Sequence, residues 1–299
     1  MIKHFFKNGS LLGGTNVTII GDGFNNQTTV IIGDNIYTNG SGGCLINYNN
    51  ITLPTLPCSE KTYPIHIYVN NTKSLSNGTM TFTCSEQYTP VVTSIYPESI
   101  NGSGIITLIG YNFGNDSSQT TIYIGNQSCV VQTVNSTYIT CLIGGVETGN
   151  QSVTCNIGSI GNVVVPSNIT LVGVPLVSTV SPPLGGCYGG QVITITGNGF
   201  SDNTTVYIGP IRCKVISVSV NDLKCVIEPT TVPYPDGNYT IDIWYGNDKY
   251  TGVSADFTFD STITPNLTSL YPSSGSGGDT LTIDGYNFGL NMSHVKVLN

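Results

Sequence analysis

Four short segments of this chain say the same thing: Gly21-Asp-Gly-Phe24, Gly110-Tyr-Asn-Phe113, Gly197-Asn-Gly-Phe200 and Gly285-Tyr-Asn-Phe288, spaced 89, 87 and 88 residues apart. Each is preceded by an alternating apolar run: Val17 to Ile20, Ile106 to Ile109, Ile193 to Thr196 and Leu281 to Asp284. Three are followed by a second run of one design, Thr29 to Gly33, Thr121 to Gly125 and Thr205 to Gly209. Upstream, Ser94-Ile-Tyr-Pro97, Thr179-Val-Ser-Pro182 and Ser269-Leu-Tyr-Pro272 open the second to fourth copies. Such a fixed period requires four copies of one structural unit.

The unit is made of strands. Valine, isoleucine and threonine supply 97 of the 299 residues, against one alanine (Ala255) and five glutamates, so β-branched residues abound where good helix formers are nearly absent. The 36 glycines and 15 prolines fall between the apolar runs, as turn residues do. Apolar side chains recur at every second position, as in Tyr239, Ile241, Ile243 and Tyr245, so one face of each sheet can close on another. About seven short strands in roughly 88 residues is the size of an immunoglobulin-like sandwich, although the inter-sheet Cys, Trp, Cys arrangement of that fold is missing. The expected domains are 1–88, 89–173, 174–263 and a truncated 264–299. Residues Met1 to Lys7 begin like a basic leader, but Asn8, Gly9 and Ser10 interrupt it, and the chain reads as part of a longer protein.

Charge and processing signals point to one compartment. Only 9% of residues are charged and the net charge is −8, which disfavours a nucleic-acid partner. Asn-x-Ser/Thr occurs 17 times, against about seven expected by chance, so N-glycans are expected to replace surface charge in keeping the chain soluble. Asn26, Asn115, Asn203 and Asn291 stand out, each two or three residues after a motif phenylalanine. The nine cysteines suit the same secretory setting. Cys129 and Cys141 are separated by eleven residues, as are Cys213 and Cys225; a hairpin centred on Asn135 would place Cys129 opposite Cys141 and Val131 opposite Ile139. Cys44 and Cys58, with a slightly longer loop, stand at the matching place in the first repeat, giving three expected hairpin disulfides. Cys84, Cys155 and Cys187 are left over; Cys84 and Cys155 alternate in phase with core residues.

The opening strand with its proline, the Gly13-Gly14, Gly189-Gly190 and Gly277-Gly278 turns, the Gly-x-Asn/Gly-Phe motif, Val-x-Ile-Gly and the cysteine pair together resemble the IPT/TIG module. The resemblance covers essentially the whole chain. It implies tandem immunoglobulin-like sandwiches of the kind found in plexin and hepatocyte-growth-factor-receptor ectodomains and in some transcription factors. The asparagine and threonine richness, with Gly-Gly-Cys187-Tyr-Gly-Gly, looks most like the TIG-repeat surface proteins of social amoebae, which implies cell adhesion or recognition.

Catalytic chemistry is not visible. His4, His66 and His294 lie in repeats one, one and four, and the motif glycines lead to strands, where a phosphate loop would open a helix. They are expected instead to permit positive φ. Asp236, Asp242, Asp248, Asp256 and Asp260 lack the spacing of a calcium loop. No enzyme activity, cofactor or metal is therefore expected. The third repeat is decorated differently, with two sequons where the first has seven and the second six, 12 of the chain's 26 charges and its one tryptophan. Trp244 alternates out of phase with Ile241 and Ile243, so it is expected on the outer face beside Asp242 and Thr240 as an interface anchor. The expected partner is a protein on another cell or a second copy of the chain, with carbohydrate as the second class. No nucleic acid is expected, and membrane attachment only through a segment outside this chain. An accessory region of an extracellular enzyme and a DNA-binding TIG protein are the rival readings.

Overall fold

A computed structural model describes residues 3–5, 7–74, 80–250 and 255–288. By contacts the chain divides into two compact units, Met1–Val174 and Pro175–Asn299. The fold is all-β, with immunoglobulin-like sandwiches in tandem.

In the second repeat, Val91–Tyr96, Gly104–Tyr111, Tyr138–Ile143 and Gln127–Val134 lie side by side, while Thr120–Ile124, Gly149–Ile157, Thr170–Gly173 and Ser99–Ile100 continue the order. Gln127–Val134 belongs to both faces: Cys129 lies opposite Ile122 on one side, and Val130 opposite Leu142 on the other. The third repeat has the same order, with Leu176–Ser181, Val192–Asn198, Asp222–Ile227 and Ile211–Val218 followed by Thr204–Ile208, Gly237–Tyr245, Asp256–Phe259 and Leu184–Gly185. In the first repeat the corresponding strand, Asn35–Thr38, is only four residues long and pairs with Thr28–Ile32 alone, so its two sheets stay separate. Of the fourth repeat, Asn266–Tyr271 and Thr282–Tyr286 are described as an antiparallel pair. Each complete sandwich closes on alternating residues of this kind, such as Ile106, Leu108, Ile122 and Ile139 in the second repeat.

The motif is built from three different demands. Its phenylalanine is core: Phe24, Phe113 and Phe200 are buried. Its first glycine is there for close approach, because a Cβ on Gly110, Gly197 or Gly285 would collide with the carbonyl of Val91, Leu176 or Asn266 in the opening strand. Only the third position takes positive φ, at 83° for Gly23, 64° for Asn112, 86° for Gly199 and 65° for Asn287.

Two of the three expected hairpin disulfides form, Cys129–Cys141 and Cys213–Cys225, each with a Cα separation of 5.4 Å. Their register is not the expected one. Val131 lies opposite Cys141 and Val134 opposite Ile139, because the hairpin turns over Asn135–Tyr138 and the ladder then slips between Val131 and Thr133. The third repeat slips in the same place, between Val215 and Ser217, putting Val215 opposite Cys225. A bulge adds a residue to one strand, so the bonded cysteines are diagonal neighbours on one face.

The expected Cys44–Cys58 bond is not formed. Cys58 is bonded to Cys84, and Cys44 is a buried free thiol. Strand register gives the reason. Cys129 and Cys213 sit opposite Ile122 and Val206; in the first repeat the residue opposite Val30 is Tyr37. Cys141 and Cys225 sit opposite Ile106 and Ile193; the residue opposite Val17 is Leu53. Tyr37 and Leu53, both buried, therefore fill the place of the disulfide, and Cys44 enters the core beyond the Ser41–Gly43 turn. Cys84, expected as a core residue, ends the strand Thr81–Cys84. Phe259 ends the corresponding strand Asp256–Phe259, where it packs against Tyr234 and Tyr239 at ring distances of 5.0 and 5.4 Å.

Candidate interaction surface

The strand Gly237–Tyr245 sends Ile241 and Ile243 into the core and presents Thr240, Asp242 and Trp244 outward. Pairing fixes their neighbours. Trp244 lies between Thr205 and Lys249, and Asp242 lies opposite Tyr207. Lys249 Nζ is 2.8 Å from Asp242 Oδ2, the single ion pair among the described residues. The Tyr207 ring meets Trp244 edge-on at 6.1 Å between centroids. Trp244 is thus on the expected face but half-buried, because Tyr207 and the returning strand Asp248–Tyr250 cover part of the indole. The result is an aromatic pair beside an ion pair on a sheet surface, which offers apolar area together with fixed hydrogen-bonding groups.

The sequon asparagines after the motif are exposed at Asn26, Asn115 and Asn203; Asn291 lies outside the described residues. Thr28, which completes the Asn26 sequon, is buried and accepts the Asn25 N–H at 2.9 Å, so that threonine also has a structural task. His66 is partly exposed beside buried Ile65 and Ile67, and His294 lies outside the described residues, as does the side chain of His4. Among the described residues, no three His, Cys, Asp or Glu side chains converge on a common point.

Between successive repeats the sequence reasoning missed a device. Asn112 Nδ2 donates to the carbonyls of Gln87 and Thr89 at 2.9 and 3.1 Å, and Asn287 Nδ2 does the same to Thr262 and Thr264 at 2.6 and 3.1 Å. In both connections a short 3-10 turn, Glu86–Tyr88 or Ser261–Ile263, precedes a threonine whose hydroxyl receives a main-chain N–H, from Leu11 to Thr89 and from Cys187 to Thr264. The signal was visible: motif copies two and four read Gly-Tyr-Asn-Phe, whereas copies one and three have glycine at the third position. A cleft of about 400 Å³ at the second of these connections is lined by Cys187, Tyr188, Tyr234, Asp236, Asn266 and Tyr286. There Ser261 and the Cys187 thiol donate to Asp236, holding its carboxyl below the usual range, and burial pushes the thiol up.

The IPT/TIG domain model matches residues 1–84, 90–171, 175–260 and 265–298. The chain therefore belongs to the IPT/TIG family. Among curated proteins it is 31% identical to human fibrocystin-L over 97% of its length and 32% identical to mouse fibrocystin-L over 98%. It spans 7% of the length of each. Dog fibrocystin is 27% identical over 79% of the chain. These relatives are mammalian fibrocystins, and the narrower likeness to social-amoeba proteins rests on composition and one Gly-Gly-Cys187 segment alone. Among solved structures, the plexin A4 extracellular region aligns with 86% of the chain at 12% identity and a TM-score of 0.27, covering 33% of that chain.

Proposed function

We propose that this chain is the non-catalytic, glycosylated, extracellular part of a cell-surface protein, in which tandem IPT/TIG modules present a recognition surface for adhesion. Membership of the family, three disulfides and the density of acceptor sequons support the extracellular setting. None of the described helices is long and apolar enough to cross a membrane. The observation that carries the recognition reading is the outer face of the third repeat, where Trp244, Tyr207, Asp242 and Lys249 meet on the module with two sequons. The partner is a protein on an opposing cell or a second copy of the chain. The likeness to social-amoeba adhesion proteins, in composition and in the Gly-Gly-Cys187 segment, agrees with that role.

Trp244→Ala tests it. The indole is partly covered, so its removal is expected to leave the sandwich folded while weakening cell binding or self-association by about tenfold or more. A folded variant that binds as well as the parent refutes this surface. Should the variant unfold, Asp242→Asn with Lys249→Gln, which keeps the aromatic packing, asks the same question.

A further inference from the structure

We propose that the third repeat binds an anionic glycan through Arg212, Lys214 and Lys224, on a strip that begins beside Tyr207, the cross-strand partner of Arg212, and runs from there away from Trp244. Arg212 and Lys214 flank Cys213, and Lys224 precedes Cys225. The two cysteines point inward and are bonded to each other, so their sequence neighbours must point outward. All three cations are exposed, and they are three of only nine in a chain of net charge −8. With the single described ion pair at Lys249 and Asp242, none of the three has a carboxylate within salt-bridge distance.

The disulfide does more than place them on one side. It fixes the two strands relative to each other, so the cations keep a set spacing, with Arg212 and Lys214 about 6.7 Å apart along their strand. Both line a cleft of about 320 Å³ with Val226, Glu228 and Pro229. Exposed apolar surface adjoins it at Val192 and Ile216, suited to the C–H faces of a sugar ring. The fold does not demand this charge, because the matching residues beside Cys129 and Cys141 in the second repeat are Ser128, Val130 and Thr140. No sequon lies between Asn203 and Asn238, so the two strands that carry these cations bear no acceptor asparagine. Two carboxylates temper the field: Glu228 in the cleft, and Asp222, which accepts from the Ser219 hydroxyl at 2.8 Å. A linear chain carrying sulfates or uronates at intervals matches this strip of separated cations.

The test uses the secreted, disulfide-bonded chain on immobilised heparin, hyaluronan and neutral dextran in about 0.1 M salt, where exposed charges more than about 10 Å apart are screened. Retention on heparin or hyaluronan and not on dextran is expected. Retention on heparin alone assigns sulfate, and retention on both assigns the anionic charge they share. Arg212→Gln with Lys214→Gln should weaken binding by about tenfold, Glu228→Gln should strengthen it, and Lys249→Gln should leave it unchanged. Absence of retention on both acidic glycans, or a response to Lys249→Gln equal to that of the Arg212 and Lys214 pair, overturns the proposal. Trp244→Ala should retain glycan binding, so failure of the adhesion surface and failure of this one are separate results.

Discussion

The side-chain amide of Asn112 donates to the main-chain carbonyl of Thr89 at 3.1 Å, tying the motif of the second repeat to the connection that leads into it. Asn287 and Thr264 repeat the relationship at the same distance. Asparagine suits this place twice over, since it tolerates a φ of 64° and carries a donor long enough to reach the connection.

Substituting Asn112 separates these two contributions. Asn112→Gly keeps the backbone conformation and loses only the two hydrogen bonds, at an expected cost of about 1–2 kcal/mol in the stability of the first unit. Asn112→Ala adds roughly 1 kcal/mol for a Cβ at positive φ. Chemical denaturation of the three proteins is the measurement; equal stability of the glycine variant and the parent would mean that the bonds are replaced by water without loss.

Non-reducing peptide mapping should recover Cys58 linked to Cys84, with Cys44 free and alkylated only after unfolding, since burial raises its thiol pKa. Opening that link with Cys84→Ala should destabilise the first repeat by about 3 kcal/mol, given a sequence separation of 26. Cys44→Ala should leave the bond in place. A peptide joining Cys44 to Cys58 would overturn the assignment.

Burial pushes the Cys155 thiol from its ordinary value near 9 to about 12. The unfolded chain therefore loses this proton at lower pH than the folded one, and stability falls as pH rises from about 9 towards 12. Below pH 9 the contribution is fully present. Cys155→Ile should flatten that alkaline decline, and it should be tolerated, because Ile67 and Ile243 occupy the same place opposite Val30 and Val206. An unchanged decline in denaturation midpoints across that range would show that other groups cause it.

The exposed asparagines Asn26, Asn115 and Asn203 should carry N-glycans in protein secreted by its natural host. Mass spectrometry with enzymatic deglycosylation decides it. If all three are unmodified, the recurring asparagine is a turn residue and nothing more.

The sequence by itself determined the period, the strand content and the inward face of nearly every strand, because alternation is a local property that a residue carries wherever its strand is placed. It was enough to bond Cys129 to Cys141 and Cys213 to Cys225, where both partners lie in one hairpin. Only the tertiary structure decided that Cys58 meets Cys84 across 26 residues, since that depends on where a loop crosses the end of the sandwich. It also set the diagonal register of the hairpin disulfides, because a one-residue bulge leaves the pattern on either side intact while changing which residues face each other. The partial cover of Trp244 belongs to the same class: sequence gives the face a side chain points to, and only neighbouring strands, here those of Tyr207 and Lys249, determine how much of it water still reaches.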